Sequence, residues 1–571
     1  MAVVEGVTDG ALRNQIEAAM GESKSAPRGL LESRRRAIQA AKDALALLRS
    51  EGYYQGEADP DVTPAPANRP LVRVTLGPRF KLASATIAWR GAPPDAATQA
   101  QALKDLDLPD GGPGRAADVL AAEGRVIAAL QKRGYAEATI DPREVVVDHA
   151  DASVRPTLKI GAGERIVLGA LVATGPARVQ AHWLSSLSPW KPGAVYDPAL
   201  FARLEKRLIE TGAYQSATVA LAPAAGPAGP AGTPRVVDVT LVNRPTRSLE
   251  VGAGYSTTEG SGADLKLTRY NRLGRADALI LTAKLYDIQQ KLDLEQVLPD
   301  WGHVDQTLKV GGGFLGDRTK AYDDLGGGVR LDVIRRYDRT TAITLGAAAD
   351  FASTREKTAV NLLATPVGET LNLFIATAKA GLVFDRSNSI LNPTKGWRLD
   401  VEADPTLIEG GRSLTYVKTH AQISGYWPLG PAGTDIAARL KVGAIWGGSI
   451  PGVPADRRFF AGGGGSVRGY GYQAVGPRLS DNTPVGGLSL TEGSFELRQP
   501  VSRRWSVVAF ADVGEIGPTV TPRFNNLAVG VGAGIRYDLG FGPLRLDIGT
   551  PLNGQKGDAP VQVYISIGQA F

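Results

Sequence analysis

The sequence predicts three α+β repeats followed by a transmembrane antiparallel β-barrel of about 16 strands. Three observations carry this. A helical stretch closed by Gly and then Tyr recurs three times before residue 246. Only seven of the 13 Phe and 16 Tyr residues lie in that part, and 22 of the 69 Gly, so the two parts are built differently. Beyond residue 246 apolar residues alternate with small or charged ones, the period of a strand with unlike faces.

In the first repeat the helix ends at Leu48-Arg49-Ser50-Glu51-Gly52-Tyr53-Tyr54, in the second at Leu130-Gln131-Lys132-Arg133-Gly134-Tyr135, and in the third at Leu208-Ile209-Glu210-Thr211-Gly212-Ala213-Tyr214. Each Gly suits the residue past a helix C-terminus that adopts positive φ. Upstream, apolar residues keep a helical period: Ile38, Ala41, Leu45 and Leu48; Val119, Ala122, Val126 and Ala129; Phe201, Leu204 and Leu208. Asp197 and Pro198 give the third helix an N-cap and a first-turn proline. Alternating strands follow at Val72–Leu76, Arg155–Ile160 and Val236–Val242, so each unit reads strand, helices, strand, strand. The Pro223 to Pro234 segment, rich in Gly, Pro and Ala, is expected to be a disordered loop. The expected domains are residues 1–78, 79–164 and 165–245 for the repeats and 246–571 for the barrel.

In the barrel region, Leu527–Asp538 places apolar or aromatic residues at every odd position and small or charged ones at every even position. Leu544–Gly549 and Val561–Ile567 repeat the alternation, which sets one face toward lipid and the other toward a polar lumen. At roughly 20 residues per strand and turn, the region holds about 16 strands, an even number that lets antiparallel strands close.

Composition excludes several classes. Lys plus Arg total 64 against 58 Asp plus Glu, which gives no argument for nucleic acid. With no Cys, thiol catalysis, zinc–thiolate sites and disulfides are absent. No run approaches the ~18 apolar residues of a membrane helix, a test that a β-barrel escapes because its apolar residues alternate. Gly311–Gly316 fits G-x-G-x-x-G but lies in an alternating strand with no helix after it, and no Walker A pattern occurs. His149, His182, His303 and His420 lack metal-ligand spacing. The expectation is a chain that is not an enzyme and needs no cofactor. The start, Met1-Ala2-Val3-Val4-Glu5, has no basic segment leading into an apolar one, and the expectation is a mature chain whose signal has been removed.

Phe459–Tyr470 stands out, with four consecutive Gly at 462–465 and then Ser466-Val467-Arg468-Gly469-Tyr470. Val467, Arg468, Gly469 and Tyr470 resemble the VRGF/Y signature of the long sixth extracellular loop in the BamA/TamA superfamily of outer-membrane insertases and transporters. Phe510-Ala511-Asp512-Val513-Gly514 resembles that superfamily's FxDxG motif, and Ser494-Phe495-Glu496-Leu497-Arg498 the segment that supplies an acidic partner. In the period-two register Glu496 and Asp512 share the lumen face with Phe510 and Arg498, so an inward-folded loop would set the planar Arg468 fork beside two carboxylates.

The resemblance spans the whole chain and implies the rest of the reading. The repeats would be POTRA domains in the periplasm, and three of them point to the TamA branch. The protein would assemble β-barrel and autotransporter proteins in the bacterial outer membrane through a lateral gate between the first and last barrel strands. Its partners would be a TamB-like periplasm-spanning protein, unfolded outer-membrane protein clients and outer-membrane lipids. A BamA-like general insertase and a two-partner secretion pore are the alternatives. The gate strand is expected to include Val561, Val563, Ile565, Ile567, Gly568 and Phe571, with pairing weakened by Gly568, which offers no side chain to pack. Arg468→Ala is expected to harm function more than Arg457→Ala or Arg478→Ala.

Overall fold

The computed structural model describes residues 2–21, 26–224, 234–256, 260–357, 370–430, 433–540 and 543–567. Two compact units result: Met1–Thr174 with Ser188–Arg207 and Ala217–Thr240, and Gly175–Leu187 with Leu208–Ser216 and Leu241–Phe571.

In the first repeat, Val3–Glu5 runs parallel to the central strand Pro70–Thr75, and Glu57–Val62 runs antiparallel on its other side. The helix Leu30–Ser50 buries Ala37, Ala40, Ala41, Ala44 and Leu48. Ile38 points outward instead, because the stripe follows the small alanines that let helix and sheet approach closely. In the second repeat Ser153–Gly161 is central, parallel to Lys81–Leu82 and Thr86–Trp89 and antiparallel to Thr139–Ile140 and Glu144–Asp148. The helix Ala116–Lys132 covers it with Val119, Ala122, Val126, Ala129 and Leu130. The third sheet has Pro234–Asn243 between Tyr214–Leu221 and Val167–Thr174.

The recurring glycines close their helices alike: φ is +95° at Gly52, +102° at Gly134 and +72° at Gly212. In the first two, the following Tyr amide donates back to Leu48 O at 2.8 Å and Leu130 O at 3.1 Å, satisfying carbonyls that the helix end would leave open. Of the Pro223 to Pro234 segment, residues 225–233 lie outside the described residues.

From Arg247 onward, among the described residues, sixteen antiparallel strands form a closed barrel. The pleat sorts side chains as the alternation requires. Leu249, Val251, Leu325, Phe351 and Phe495 face outward, while Asp293, Asp324, Glu496, Asp512 and Asp547 are buried inside. Among the described residues no helix is long and apolar enough to cross a membrane. The Gly311–Gly316 run lies within the strand Gln306–Arg318.

Neighbouring strands pair over long registers, fifteen residues between Tyr322–Arg336 and Thr341–Glu356. The seam between the first strand, Arg247–Ser256, and the last, Gln562–Ile567, is different. Among the described residues it carries one registered pair, Ser256 with Tyr564.

Residues 447–488, between the strands Thr434–Trp446 and Ser489–Pro500, fold into the barrel. Val453, Phe459, Val467, Tyr470 and Val475 of this loop join wall residues Ile375, Ile408, Ile445, Leu490 and Ile516 in one apolar cluster. The loop thereby buries lumen-facing apolar side chains that would otherwise meet water.

Candidate functional site

Arg468 is at the tip of this loop with its side chain 1% exposed. A guanidinium so far from water must have its donors satisfied, and the wall supplies acceptors on three strands. Asp512, on Trp505–Gly517, accepts from Nε at 2.7 Å, from Nη2 at 2.9 Å and from the Arg468 backbone amide at 3.0 Å. Glu496, on Ser489–Pro500, accepts from Nη1 at 2.6 Å. Asp547, on Pro543–Pro551, accepts from the same Nη1 at 3.0 Å. The guanidinium lies 3.6 Å from the centroid of the Phe510 ring, a cation–π stack on a fourth side.

Three buried carboxylates this close repel one another, so further cations are built in. Arg498 donates to Glu496 Oε2 at 2.9 Å. Arg536 bonds Asp547, and Arg545 lies 3.3 Å from Asp547 Oδ2. Ser494 Oγ donates to Asp512 at 2.6 Å. Each carboxylate thus has its own donors, and Asp512 draws its cationic ones from Arg468.

The backbone of the loop is seated as closely. A Cβ on Gly530 would collide with the Arg468 carbonyl oxygen, and one on Gly549 would come within 2.9 Å of the Gly469 nitrogen. Gly469 itself has φ of +98°. Tyr470 donates through its hydroxyl to Asn553 Oδ1 at 2.6 Å, and Val467 is fully buried. Gly514 leaves room for Val467, whose Cγ2 would meet an added Cβ at that glycine. The loop residue Ser466 bonds Glu492, and Arg439 donates to the carbonyls of Gly465 and Ser466 at 3.2 Å each.

The structure therefore brings Val467, Arg468, Gly469 and Tyr470 together with Glu496, Phe510, Asp512 and Gly514. Sequence reasoning missed Asp547, Gly530, Gly549 and Tyr564. Asp547 and Tyr564 both lie at inward positions of strands whose alternation was legible, and that parity is the signal for them. Val561, expected in the last strand, lies just before it and is exposed; within the strand Ile565 is exposed outward and Val563 is half-buried, whereas Tyr564 is buried. Only the backbone of Ile567 is described, and Gly568 and Phe571 lie outside the described residues.

A second anchor ties the start of the loop to another part of the wall. Arg458 Nη2 lies 3.0 and 3.1 Å from the two oxygens of Glu356, while Nε donates to Val453 O at 2.9 Å and Nη1 to Val485 O at 3.0 Å. Arg457 and Arg478 are engaged too, with Asp456 at 2.8 Å and Asp558 at 2.7 Å.

This barrel with its inward loop coincides with a family match: residues 271–571 fit the Omp85 superfamily domain. The chain belongs to the Omp85 superfamily. It is an outer-membrane protein whose N-terminal repeats are periplasmic POTRA domains. It is 24% identical over 504 residues to the outer membrane protein assembly factor BamA of Neisseria meningitidis serogroup B, covering 76% of this chain and 60% of that protein. To the assembly factor BamA of Neorickettsia risticii it is 21% identical over 353 residues, 59% of this chain and 46% of the relative. The chain thus spans about half to three fifths of the length of these relatives. The crystal structure of Haemophilus ducreyi BamA lacking POTRA domains 1–3 superposes with a TM-score of 0.73 at 19% identity, covering 86% of this chain and all of the other, which shows a shared fold.

Proposed function

We propose that this Omp85 protein is a non-enzymatic insertase that assembles β-barrel proteins, autotransporters among them, in the outer membrane, with the seam between its first and last barrel strands as a lateral gate. The observation that carries the reading is that, among the described residues, the seam has a single registered pair in a wall whose other strands pair extensively. A strand edge with unpaired amides and carbonyls is a template for an incoming strand, so the weakest joint in the ring is where a client hairpin would add. The resemblance of the relatives named as assembly factors supports the same activity, and the three repeats favour the TamA branch. In that branch the working partner would be a TamB-like periplasm-spanning protein, bound through the POTRA region.

The absence of Cys makes the test clean. Cysteines placed at Gly254 and Ser566, two residues along the register from Ser256 and Tyr564, would cross-link the seam. Oxidation should stop insertion of an autotransporter barrel into phospholipid vesicles, and dithiothreitol should restore it. Full activity of the oxidised protein would overturn the gate. Photo-crosslinking from the repeats of the full chain in native envelopes distinguishes the branches. A TamB-like protein supports the TamA reading, a set of lipoproteins a BamA-like one, and a secreted passenger a two-partner secretion pore.

A further inference from the structure

The last strand turns one large side chain inward, and neither the seam nor the arginine cluster accounts for it. Tyr564 is 2% exposed. Its hydroxyl accepts from the Gly469 amide at 3.1 Å and donates to the Tyr470 carbonyl at 3.0 Å. The ring lies against Gly464, where an added Cβ would come within 2.8 Å of Cδ1. One residue therefore holds the loop tip through its side chain and, through its backbone, forms the Ser256 pair of the seam.

The other wall strands that the loop touches have little need of it. Ser489–Pro500 and Trp505–Gly517 share a register of twelve residues, and each is paired on both sides. Among the described residues the last strand has six registered pairs with Pro543–Pro551 and one across the seam, and the tether to a buried loop adds to what fixes it. We infer that Tyr564 is a positioning residue that couples the loop to the seam: with Arg468 seated, the Gly469 and Tyr470 backbone holds the last strand in place, and releasing the loop loosens the strand. By linkage the effect is reciprocal, since freeing the last strand must weaken the seat of the loop by the same factor.

Hydrogen–deuterium exchange of the full chain in phospholipid nanodiscs tests this without a client, so its outcome is independent of the insertase reading. In Tyr564→Phe, which keeps the ring and removes both hydroxyl bonds, amides of Gln562–Ile567 and of Gly469 and Tyr470 should exchange together about 5- to 30-fold faster, the scale of one to two lost neutral hydrogen bonds. The ladder between Ser489–Pro500 and Trp505–Gly517 should be unchanged. Arg468→Lys, which leaves Tyr564 intact but cannot reproduce the guanidinium fork, should accelerate Gln562–Ile567 as well. Wild-type exchange of the last strand in either variant would overturn the coupling. If Tyr564→Phe loosens the whole barrel, Arg468→Lys decides alone.

Discussion

Asp512 faces Arg468 through three donors of that one residue: the backbone amide at 3.0 Å, Nε at 2.7 Å and Nη2 at 2.9 Å. Glu496 keeps Arg498 and Asp547 keeps Arg536 and Arg545 when Arg468 is removed, so the loss falls mainly on Asp512. Arg468→Ala should destabilise the barrel by about 3–5 kcal/mol, the cost of stranding one member of a buried pair. Adding Asp512→Asn removes the stranded charge and should recover about 1–3 kcal/mol. Urea unfolding midpoints in bilayers for the two single variants and the double variant measure both quantities; additivity would place the cost elsewhere.

Arg458 and Glu356 fasten the loop separately from Arg468. Arg458→Ala should expose the early part of the loop while leaving Arg468 seated. Trypsin added outside intact vesicles should then cleave at Arg457 before Arg478, whereas wild type resists at both. Because Arg457 and Arg478 are themselves paired, neither is a neutral comparison for Arg468; Lys266, a water-exposed cation on the lumen face paired with Glu250, is a better one.

Gly530→Ala adds a methyl where the Arg468 carbonyl oxygen is seated. Backbone on both sides cannot turn aside as a flexible side chain would, so the loop must lift. Maleimide labelling of Ser466→Cys should rise at least several-fold in the Gly530→Ala background, and it should stay at the control rate with Ala at Gly465, where an added Cβ meets nothing within 4 Å.

In the second repeat the prediction concerns pH. Asp95 caps the helix Ala96–Leu106, accepting from the Thr98 amide at 3.0 Å and the Thr98 hydroxyl at 2.7 Å, and the Tyr135 hydroxyl donates to it at 3.1 Å. These bonds, the Thr98 hydroxyl foremost, hold its carboxyl below the usual range. A depressed folded-state value means that the stabilisation is complete above the unfolded carboxylate pKa of about 3.9 and is lost as pH falls through the lower folded value. Asp95→Ala should cost about 1 kcal/mol at neutral pH. The difference from wild type should shrink below about pH 4; a constant difference in thermal melting there would exclude the charged cap as the cause.

Alternation in strands made much of this interior legible. Glu496, Phe510, Asp512 and Arg498 fall on one parity, and the barrel turns that parity inward. The glycines that close the repeat helices were equally legible, since positive φ leaves a compositional mark. Asp547 escaped because its strand is remote in sequence from the loop motif, and only the inward fold of the loop carries Arg468 to it. Gly530 and Gly549 escaped for another reason: in a Gly-rich wall, a glycine that makes room for a loop looks like one that merely lines the lumen. The Ile38 side chain shows the opposite failure, where an apolar period is satisfied equally well by the alanine face one residue away.

The loop's bonds also fix an order of events in the protein's own biogenesis. Arg468 reaches partners 28, 44 and 79 positions along the chain, and Gly469 reaches one 95 positions along. Closing such long intervals costs chain entropy that local hairpins do not, so these contacts form late. A polypeptide lacking its last two strands would hold Arg468 by Glu496 and Asp512 and leave the Gly469 amide without Tyr564. The loop can settle fully only when the final strand has arrived, which makes its seating a molecular record that the chain has been completed.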